Sequence, residues 1–182
     1  MILLCTMAFI LLIVQRLGEM LIAKRNERWM KDRGGIEFGK NQYIYIVMLH
    51  VAFLLALAIE TVLRSFTLSW FWTVMLTVFL IAQLLRVWTI RSLGRYWNTK
   101  IIVLPDADVV AKGPYRYIRH PNYIIVALEI VSLPLIFSSY LTAIVFTILN
   151  AVLLLKFRIP AEEKALTEVT NYADVFTDPK SN

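Results

Sequence analysis

Apolar residues fall in four long blocks along the chain, with short polar segments between them. The blocks cover about residues 1–23, 43–63, 68–90 and 123–157. A membrane-spanning helix needs about 20 consecutive apolar residues, so each of the first three blocks predicts one crossing. The last block is too long for one helix, and Pro134 followed by the 138–140 turn predicts a helical hairpin over residues 123–137 and 141–157. The pattern therefore predicts an all-α fold, a polytopic membrane helix bundle of about five transmembrane helices.

The composition excludes a water-soluble enzyme. Of the 182 residues, 59% are hydrophobic and 18% are charged, whereas soluble domains have about 45–50% apolar and about 25% charged residues. Five crossings use most of the length, so a single integral-membrane domain over residues 1–182 is expected. One cysteine, Cys5, and two histidines, His50 and His120, exclude an internal disulfide and a multi-histidine metal site. The six glycines form no nucleotide-binding fingerprint.

Basic residues are concentrated in three segments that five crossings place on one side of the membrane. Residues 24–42 and 91–122 hold six each and the tail from residue 156 holds four, which is 16 of the 19 Lys and Arg residues. The positive-inside rule predicts that these segments are cytoplasmic and that the amino terminus is outside. Nucleic-acid binding is not expected, because the basic residues lie beside the spans and form no separate basic domain.

Ionisable residues inside the predicted spans need a partner or a role, since each costs about 2.5–3.5 kcal/mol near the middle of a membrane helix. Arg16 and Glu19 are three residues apart on the first helix, a spacing that lets them pair. Arg86 and Glu129 lie on helix ends that meet the long basic loop. Two hypotheses remain for them, an interhelical ion pair or contact with a small ionic ligand.

Two more polar residues lie in the second span. His50 is expected to be a buried histidine that is satisfied by a hydrogen bond rather than a ligand-binding group. Glu60 lies near the outer boundary and is expected to be solvated.

The loop at residues 112–123, with the sequence KGPYRYIRHPNY, holds more polar and aromatic residues than a connector needs. Gly113-Pro114 and His120-Pro121 predict turns that bring Arg, His and Tyr side chains to the membrane surface. The alternative is an interfacial belt of Tyr and Arg at the lipid headgroups. After the hairpin, Pro160 favours the first turn of a new tail helix, over about residues 160–176.

The loop and the tail together resemble the isoprenylcysteine carboxyl methyltransferase and phospholipid methyltransferase superfamily. Its members have a G-x-Y-x-x-x-R-H-P-x-Y loop followed, across a helical hairpin, by R-x-x-x-E-E-x-x-L; here these segments are residues 113–123 and 158–166. The resemblance continues upstream at Leu85-Arg86 and residues 94–98, and the amino-terminal half is similar to a bacterial branch. This chain departs from many relatives at Ile125, where they have glycine, and at Asn171-Tyr172, which replaces F-G-x-x-Y.

The resemblance implies an integral-membrane methyltransferase that binds S-adenosylmethionine with the loop at residues 91–122 and the tail helix, without a Rossmann domain. It implies Arg86, Arg158 and Glu162 as catalytic residues, with Arg86 and Arg158 near the methyl acceptor or the cofactor's carboxylate. By the same correspondence, the cofactor-binding residues are Tyr115, Arg119, His120, Pro121, Tyr123, Glu162 and Glu163.

The resemblance also implies a lipophilic acceptor that enters from the bilayer, with the cofactor entering from the cytoplasm. Relatives in the bacterial branch are associated with O-methylation of long-chain phenols or pyrone polyketides, which is the leading acceptor class, beside an isoprenylcysteine-like carboxylate. A phospholipid N-methyltransferase, an NADPH-dependent membrane reductase and a non-catalytic membrane scaffold are the alternatives. The expected location is the bacterial cell membrane, in contact with its lipids and with the active site on the cytoplasmic side.

Overall fold

The predicted all-α class is confirmed. The structure is a computed structural model that describes residues 2–105 and 107–172. Two three-residue strands, β1 (Ile36–Phe38) and β2 (Ile101–Val103), pair antiparallel, with Ile36 opposite Val103. The helices are α1 (Ile2–Lys31), α2 (Lys40–Leu63), α3 (Trp72–Leu93), α4 (Pro121–Ile136), α5 (Tyr140–Leu153) and α6 (Ile159–Val169).

Three helices of the described chain are long and apolar enough to cross a membrane, and they cover Lys40–Leu63, Trp72–Tyr96 and Tyr140–Val169. Helix α4 is apolar but has 16 residues. At 1.5 Å per residue it reaches about 24 Å, less than the roughly 30 Å of a hydrocarbon core. Helix α1 is not among the three helices named above. Crossing of the membrane by α1 and by α4 stays a prediction.

Several helix ends differ from the predicted spans. Helix α1 continues past residue 23 to Lys31, because the following polar residues are good helix formers. Helix α3 begins at Trp72 rather than at residue 68, since Ser65 and Phe66 adopt positive φ angles of 53° and 57° that start a turn. Helix α6 ends at Val169 rather than at residue 176, and residues 173–176 of that prediction lie outside the described residues.

The sequence predicted that the second arm of the hairpin ends at residue 157, before Pro160, but the structure shows no such break. Helix α5 leads through a π-helical turn, Leu154–Arg158, directly into α6. The wider turn comes just before Pro160, whose missing N–H interrupts the α-helical hydrogen-bond pattern. The continuous helix places Arg158 and the carboxylates that follow it at one end of the bundle.

Helix α4 packs between α3 and α5 and forms the centre of the bundle. Its Ile130 and Leu133 join Phe53 and Leu57 of α2 and Phe146 of α5 in a buried apolar cluster. Helices α2, α3 and α5 also carry many large apolar side chains that are exposed. An apolar outer surface of this kind matches a lipid environment.

Glu60 is not merely solvated, which corrects the expectation from its position. Its carboxylate accepts hydrogen bonds from the backbone N–H groups of Leu141 (3.2 Å) and Thr142 (2.8 Å) and from Thr142 Oγ1 (2.7 Å). The first N–H groups of a helix have no partner within that helix. Glu60 of α2 therefore caps α5 and ties the two helices together.

A small cover of β1, β2 and α6 closes one end of the bundle. Ala165 of α6 packs on Ile101 and Val103 of β2. The run of β-branched residues at 101–103 suits a strand, but a three-residue strand is too short to show period-2 alternation. The pattern of apolar and polar residues therefore predicted no sheet.

An ion network fastens this cover to α1. It is called the surface ion network and consists of Glu27, Lys31, Glu37 and Lys100. Lys31 Nζ lies 2.6 Å from Glu27 Oε1 and 2.7 Å from Glu37 Oε2, and Lys100 Nζ lies 2.7 Å from Glu27 Oε1. Burial acts to raise the pKa of both carboxyl groups, but bonds and charges from the lysines outweigh it and hold the pKa below its ordinary value. The hydrogen bonds that Lys31 donates to Glu27 and Glu37 raise the pKa of Lys31, and the hydrogen bond that Lys100 donates to Glu27 raises the pKa of Lys100.

Candidate functional site

One cavity of about 450 Å³ extends from the loop and α6 into the helix bundle. Its walls are largely apolar, with contributions from α2, α4 and β2. Polar side chains border it at two ends, one formed by the loop and the tail and the other by charged residues of the helices. A mostly apolar pocket with a few convergent polar groups is the usual form of a small-molecule site.

The loop reaches the first end through a short 3₁₀ turn, Gly113–Arg116. Gly113 has a φ of +57°, and a Cβ atom there would overlap Ser92 Oγ on α3. Only glycine therefore fits this close approach. The turn holds the segment before α4 against α3 and so fixes where α4 begins.

Helix α4 begins at Pro121, the first-turn position that suits proline. The preceding His120 stacks on Tyr123, with 5.5 Å between the ring centroids. His120 Nε2 lies 3.1 Å from Glu163 Oε1 on α6. The loop and the tail helix are thus joined through the two segments that carry the motif.

Arg158 is buried and forms the centre of the hydrogen bonds at this end. Its Nε donates to Tyr123 Oη (3.0 Å) and its Nη2 donates to the carbonyl of Thr99 (2.9 Å). The Tyr123 hydroxyl in turn donates to Glu162 Oε2. Arg158 Nη1 has no hydrogen-bond partner among residues 2–105 and 107–172. A buried guanidinium with an unused donor is suited to an anionic ligand group.

Two tyrosines complete this end of the cavity. Burial, and then the charge of Glu162, raises the pKa of Tyr115 well above its usual range. Burial, and then the charge of Glu163, raises the pKa of Tyr172 to about 12. Both phenols therefore stay neutral at cellular pH. Tyr172 is buried and lines the cavity. It therefore occupies part of the wall in this chain, which lacks the F-G-x-x-Y motif of many relatives.

The second end is bordered by Arg16, Glu19, Arg86 and Glu129. Together with Gln15 and Gln83 they form a hydrogen-bonded cluster, called the membrane charge cluster. Glu129 accepts hydrogen bonds from Arg16 Nη2 (2.7 Å), Gln83 Nε2 (2.7 Å), and Arg86 Nε (3.0 Å) and Nη2 (2.5 Å). Arg86 and Glu129 thus form the interhelical ion pair that was one of two hypotheses. Arg16 and Glu19 pair at 2.6 Å, as their spacing predicted.

His50 lies beside this cluster and lines the same cavity. Its Nδ1 is 2.8 Å from the carbonyl oxygen of Ile46, one turn earlier on α2. The hydrogen bond that was predicted for this histidine is therefore confirmed at Nδ1.

The model of the isoprenylcysteine carboxyl methyltransferase (ICMT) family matches residues 73–168. The chain belongs to the ICMT family. It is 48% identical over 158 residues to an uncharacterized Bacillus subtilis protein, YpbQ, with 87% of this chain and 94% of the relative covered. It is 27% identical over 162 residues to an uncharacterized Haemophilus influenzae protein, with 88% and 94% covered. No solved structure matches the chain significantly.

This ICMT family member is accordingly an integral membrane protein of a methyltransferase family. The matched segment begins near the start of α3 and ends in α6, so it includes both motif segments and Arg86. Arg16, Glu19 and His50 lie outside it. The family match therefore covers both motif segments of the first end, but not Tyr172, and it covers only part of the second end.

The structure brings the predicted site residues of this family member together around one cavity. Pro121 and Glu163 are the exceptions, since neither lines the cavity. Glu163 contacts His120, which does line it. Those that do line it are Arg86, Tyr115, Arg119, His120, Tyr123, Arg158 and Glu162.

Sequence reasoning did not single out three residues at the first end. Asn122 lies inside the loop motif, and its Oδ1 has no hydrogen-bond partner within the described chain. Trp97 lines the cavity from the 94–98 segment, which the resemblance included, so this segment was an available signal. Thr99 participates through its carbonyl oxygen, and no side-chain pattern can indicate that role.

Proposed function

We propose that this protein is a membrane methyltransferase that uses S-adenosylmethionine to O-methylate a lipophilic acceptor. The observation that carries the proposal is the buried Arg158, which lines the cavity between the two motif segments and keeps Nη1 without a partner in the described structure. Because an unsatisfied buried donor of this kind is costly, its presence supports a bound anionic group.

The residues at this end fit the cofactor. Arg158 Nη1 supplies a donor for a carboxylate, and Asn122 Oδ1 supplies an acceptor for a hydroxyl or amine group. Glu162 provides negative charge for a cationic portion of the ligand. When bound, S-adenosylmethionine supplies an electrophilic methyl group on a sulfonium. The role of the chain is then to hold the acceptor oxygen in line, to exclude water and to accept the proton that the hydroxyl loses, for which His120 or Glu162 is the candidate.

The largely apolar cavity supports a lipophilic acceptor that enters from the bilayer. The state of Arg86 distinguishes between acceptor classes. A carboxylate acceptor needs a cation to orient it, but Glu129 already occupies Arg86 Nε and Nη2. This arrangement favours a long-chain phenol or pyrone hydroxyl over an isoprenylcysteine-like carboxylate.

We place the cofactor end on the cytoplasmic side of a bacterial cell membrane. The support is the concentration of basic residues in the segments that build this end, by the positive-inside rule. Entry of a water-soluble cofactor from that side agrees with the residues of the loop and of α6 that line the first end of the cavity.

The test is a calorimetric titration of the detergent-purified protein with S-adenosylmethionine and, separately, with NADPH. Saturable binding of S-adenosylmethionine and no binding of NADPH is expected. Arg158→Gln is expected to weaken the affinity for S-adenosylmethionine by about tenfold to a hundredfold, the range for a charge-assisted hydrogen bond. Arg116→Gln, an exposed arginine of the same loop, is the matched control and keeps the wild-type affinity. Preferential binding of NADPH, or equal effects of the two substitutions, contradicts the proposal.

A further inference from the structure

The four charged side chains of the membrane charge cluster all line the cavity, and they are Arg16, Glu19, Arg86 and Glu129. Of its four charged members, Arg16 has the most accessible side chain, 31% exposed, whereas Glu19, Arg86 and Glu129 are 11%, 3% and 7% exposed. Two arginines and two glutamates balance, so the cluster has no net charge to attract an ion. Arg16 is therefore the charged side chain of the cluster with the most surface free for a ligand, in surroundings that favour a neutral polar group over a carboxylate or an amine.

His50 offers the complementary group. The carbonyl oxygen of Ile46 can only accept a hydrogen bond, so Nδ1 of His50 is the donor in that 2.8 Å contact. In the neutral imidazole this tautomer leaves Nε2 as an acceptor. His50 lines the cavity together with Arg16. One donor and one acceptor thus border the same end of the cavity.

We infer that Arg16 and His50 bind the hydroxyl-bearing head of the methyl acceptor, with Arg16 donating to the hydroxyl oxygen and His50 Nε2 accepting its proton in a hydrogen bond. This inference rests on the proposed function. A hydroxyl satisfies both residues at once, whereas an ether only accepts and a hydrocarbon does neither. The pair therefore selects long-chain amphiphiles whose head carries a neutral hydroxyl.

Three probes with one alkyl chain separate the two hydrogen bonds: 3-pentadecylphenol, its methyl ether, and pentadecylbenzene. Their affinities are measured by calorimetry in detergent on the full chain saturated with S-adenosylhomocysteine. The phenol is expected to bind about fivefold more tightly than the ether, from the neutral bond to His50. The ether is expected to bind about tenfold more tightly than pentadecylbenzene, from the charge-assisted bond to Arg16.

Two substitutions test which residue makes each of the two hydrogen bonds. His50→Phe is expected to abolish the difference between phenol and ether, and Arg16→Met to abolish the difference between ether and pentadecylbenzene. Gln15→Leu is the control, because Gln15 bonds within the cluster but does not line the cavity, and both differences should persist in it. Equal affinity of the three probes for the wild type overturns the inference. So does loss of the differences in Gln15→Leu, which would show that cluster folding alone sets them.

The two proposals fail separately. S-adenosylhomocysteine binding is recorded first for every variant and is expected to be unchanged in all of them. If the wild type does not bind S-adenosylhomocysteine, the proposed function fails, whatever the probes do. If it binds S-adenosylhomocysteine but does not discriminate between the probes, only the roles of Arg16 and His50 are wrong.

Discussion

The ion pair between Arg86 and Glu129 allows a quantitative test of how the membrane charge cluster stabilises the bundle. Glu129→Leu leaves two cations and one carboxylate in the cluster, whereas Arg86→Met leaves one cation and two carboxylates. In the double variant the remaining pair, Arg16 and Glu19 at 2.6 Å, is balanced again. Each single change therefore leaves one uncompensated buried charge, and the double change leaves none.

The expected magnitudes follow from burial. The side chains of Arg86 and Glu129 are 3% and 7% exposed, so each single substitution should lower the free energy of unfolding by about 3–5 kcal/mol, the cost of breaking a buried pair. Independent effects would give about 6–10 kcal/mol for the double variant. We expect the double variant to be less destabilised than either single variant, which requires a coupling energy of at least about 3 kcal/mol.

The assay is a double-mutant cycle, with unfolding followed by SDS titration in mixed micelles. The control cycle uses Lys164 and Glu168, a pair at 3.8 Å with side chains that are 76% and 51% exposed, for which a coupling of no more than about 0.5 kcal/mol is expected. A coupling of about 0.6 kcal/mol, typical of polar contacts between membrane helices, would refute the reasoning that the buried charges depend on one another.

Two further predictions concern the first end of the cavity and its cover. Gly113→Ala should lower both the melting temperature and the affinity for S-adenosylmethionine, because the left-handed backbone costs about 1–2 kcal/mol and the added Cβ meets Ser92 Oγ. Gly18→Ala in α1, where nothing lies within 4 Å, should leave both unchanged or raise stability slightly, and an equal loss in the two variants would contradict this account. In the surface ion network, the pKa values of the Glu27 and Glu37 carboxyl groups are lowered. Their contribution to the free energy of unfolding is therefore complete above pH 4.5 and is lost as the pH falls through the lowered pKa values. The pKa values of Lys31 and Lys100 are raised, so their contribution to the free energy of unfolding is complete below pH 10.5 and is lost as the pH rises through the raised pKa values. The melting temperature should therefore fall at both extremes, and Glu27→Gln should reduce both slopes; slopes unchanged in this variant would rule out the network as their source.

The sequence determined the class of the molecule and the location of its chemistry, because both are local properties. Apolar blocks of membrane-spanning length predict membrane helices without any knowledge of their neighbours. The two motif segments keep their residue types at fixed spacing, so residue types and spacing were enough to indicate the first end of the cavity. Tyr172 shows the limit of this reasoning, since it fills a wall for which the usual motif is missing.

Only the tertiary structure decided which polar residues are partners. Glu129 binds Arg16, 113 residues away, and Glu60 caps a helix that begins 80 residues later. Nothing in the sequence around these residues specifies such contacts, because an apolar block defines a helix but not the rotation or the neighbour of that helix. Packing of α4 between α3 and α5 fixes those quantities, and with them the position of the membrane charge cluster beside the cavity. Buried charges in lipid have no water to satisfy them, so their partners are set wherever helix packing brings opposite charges together.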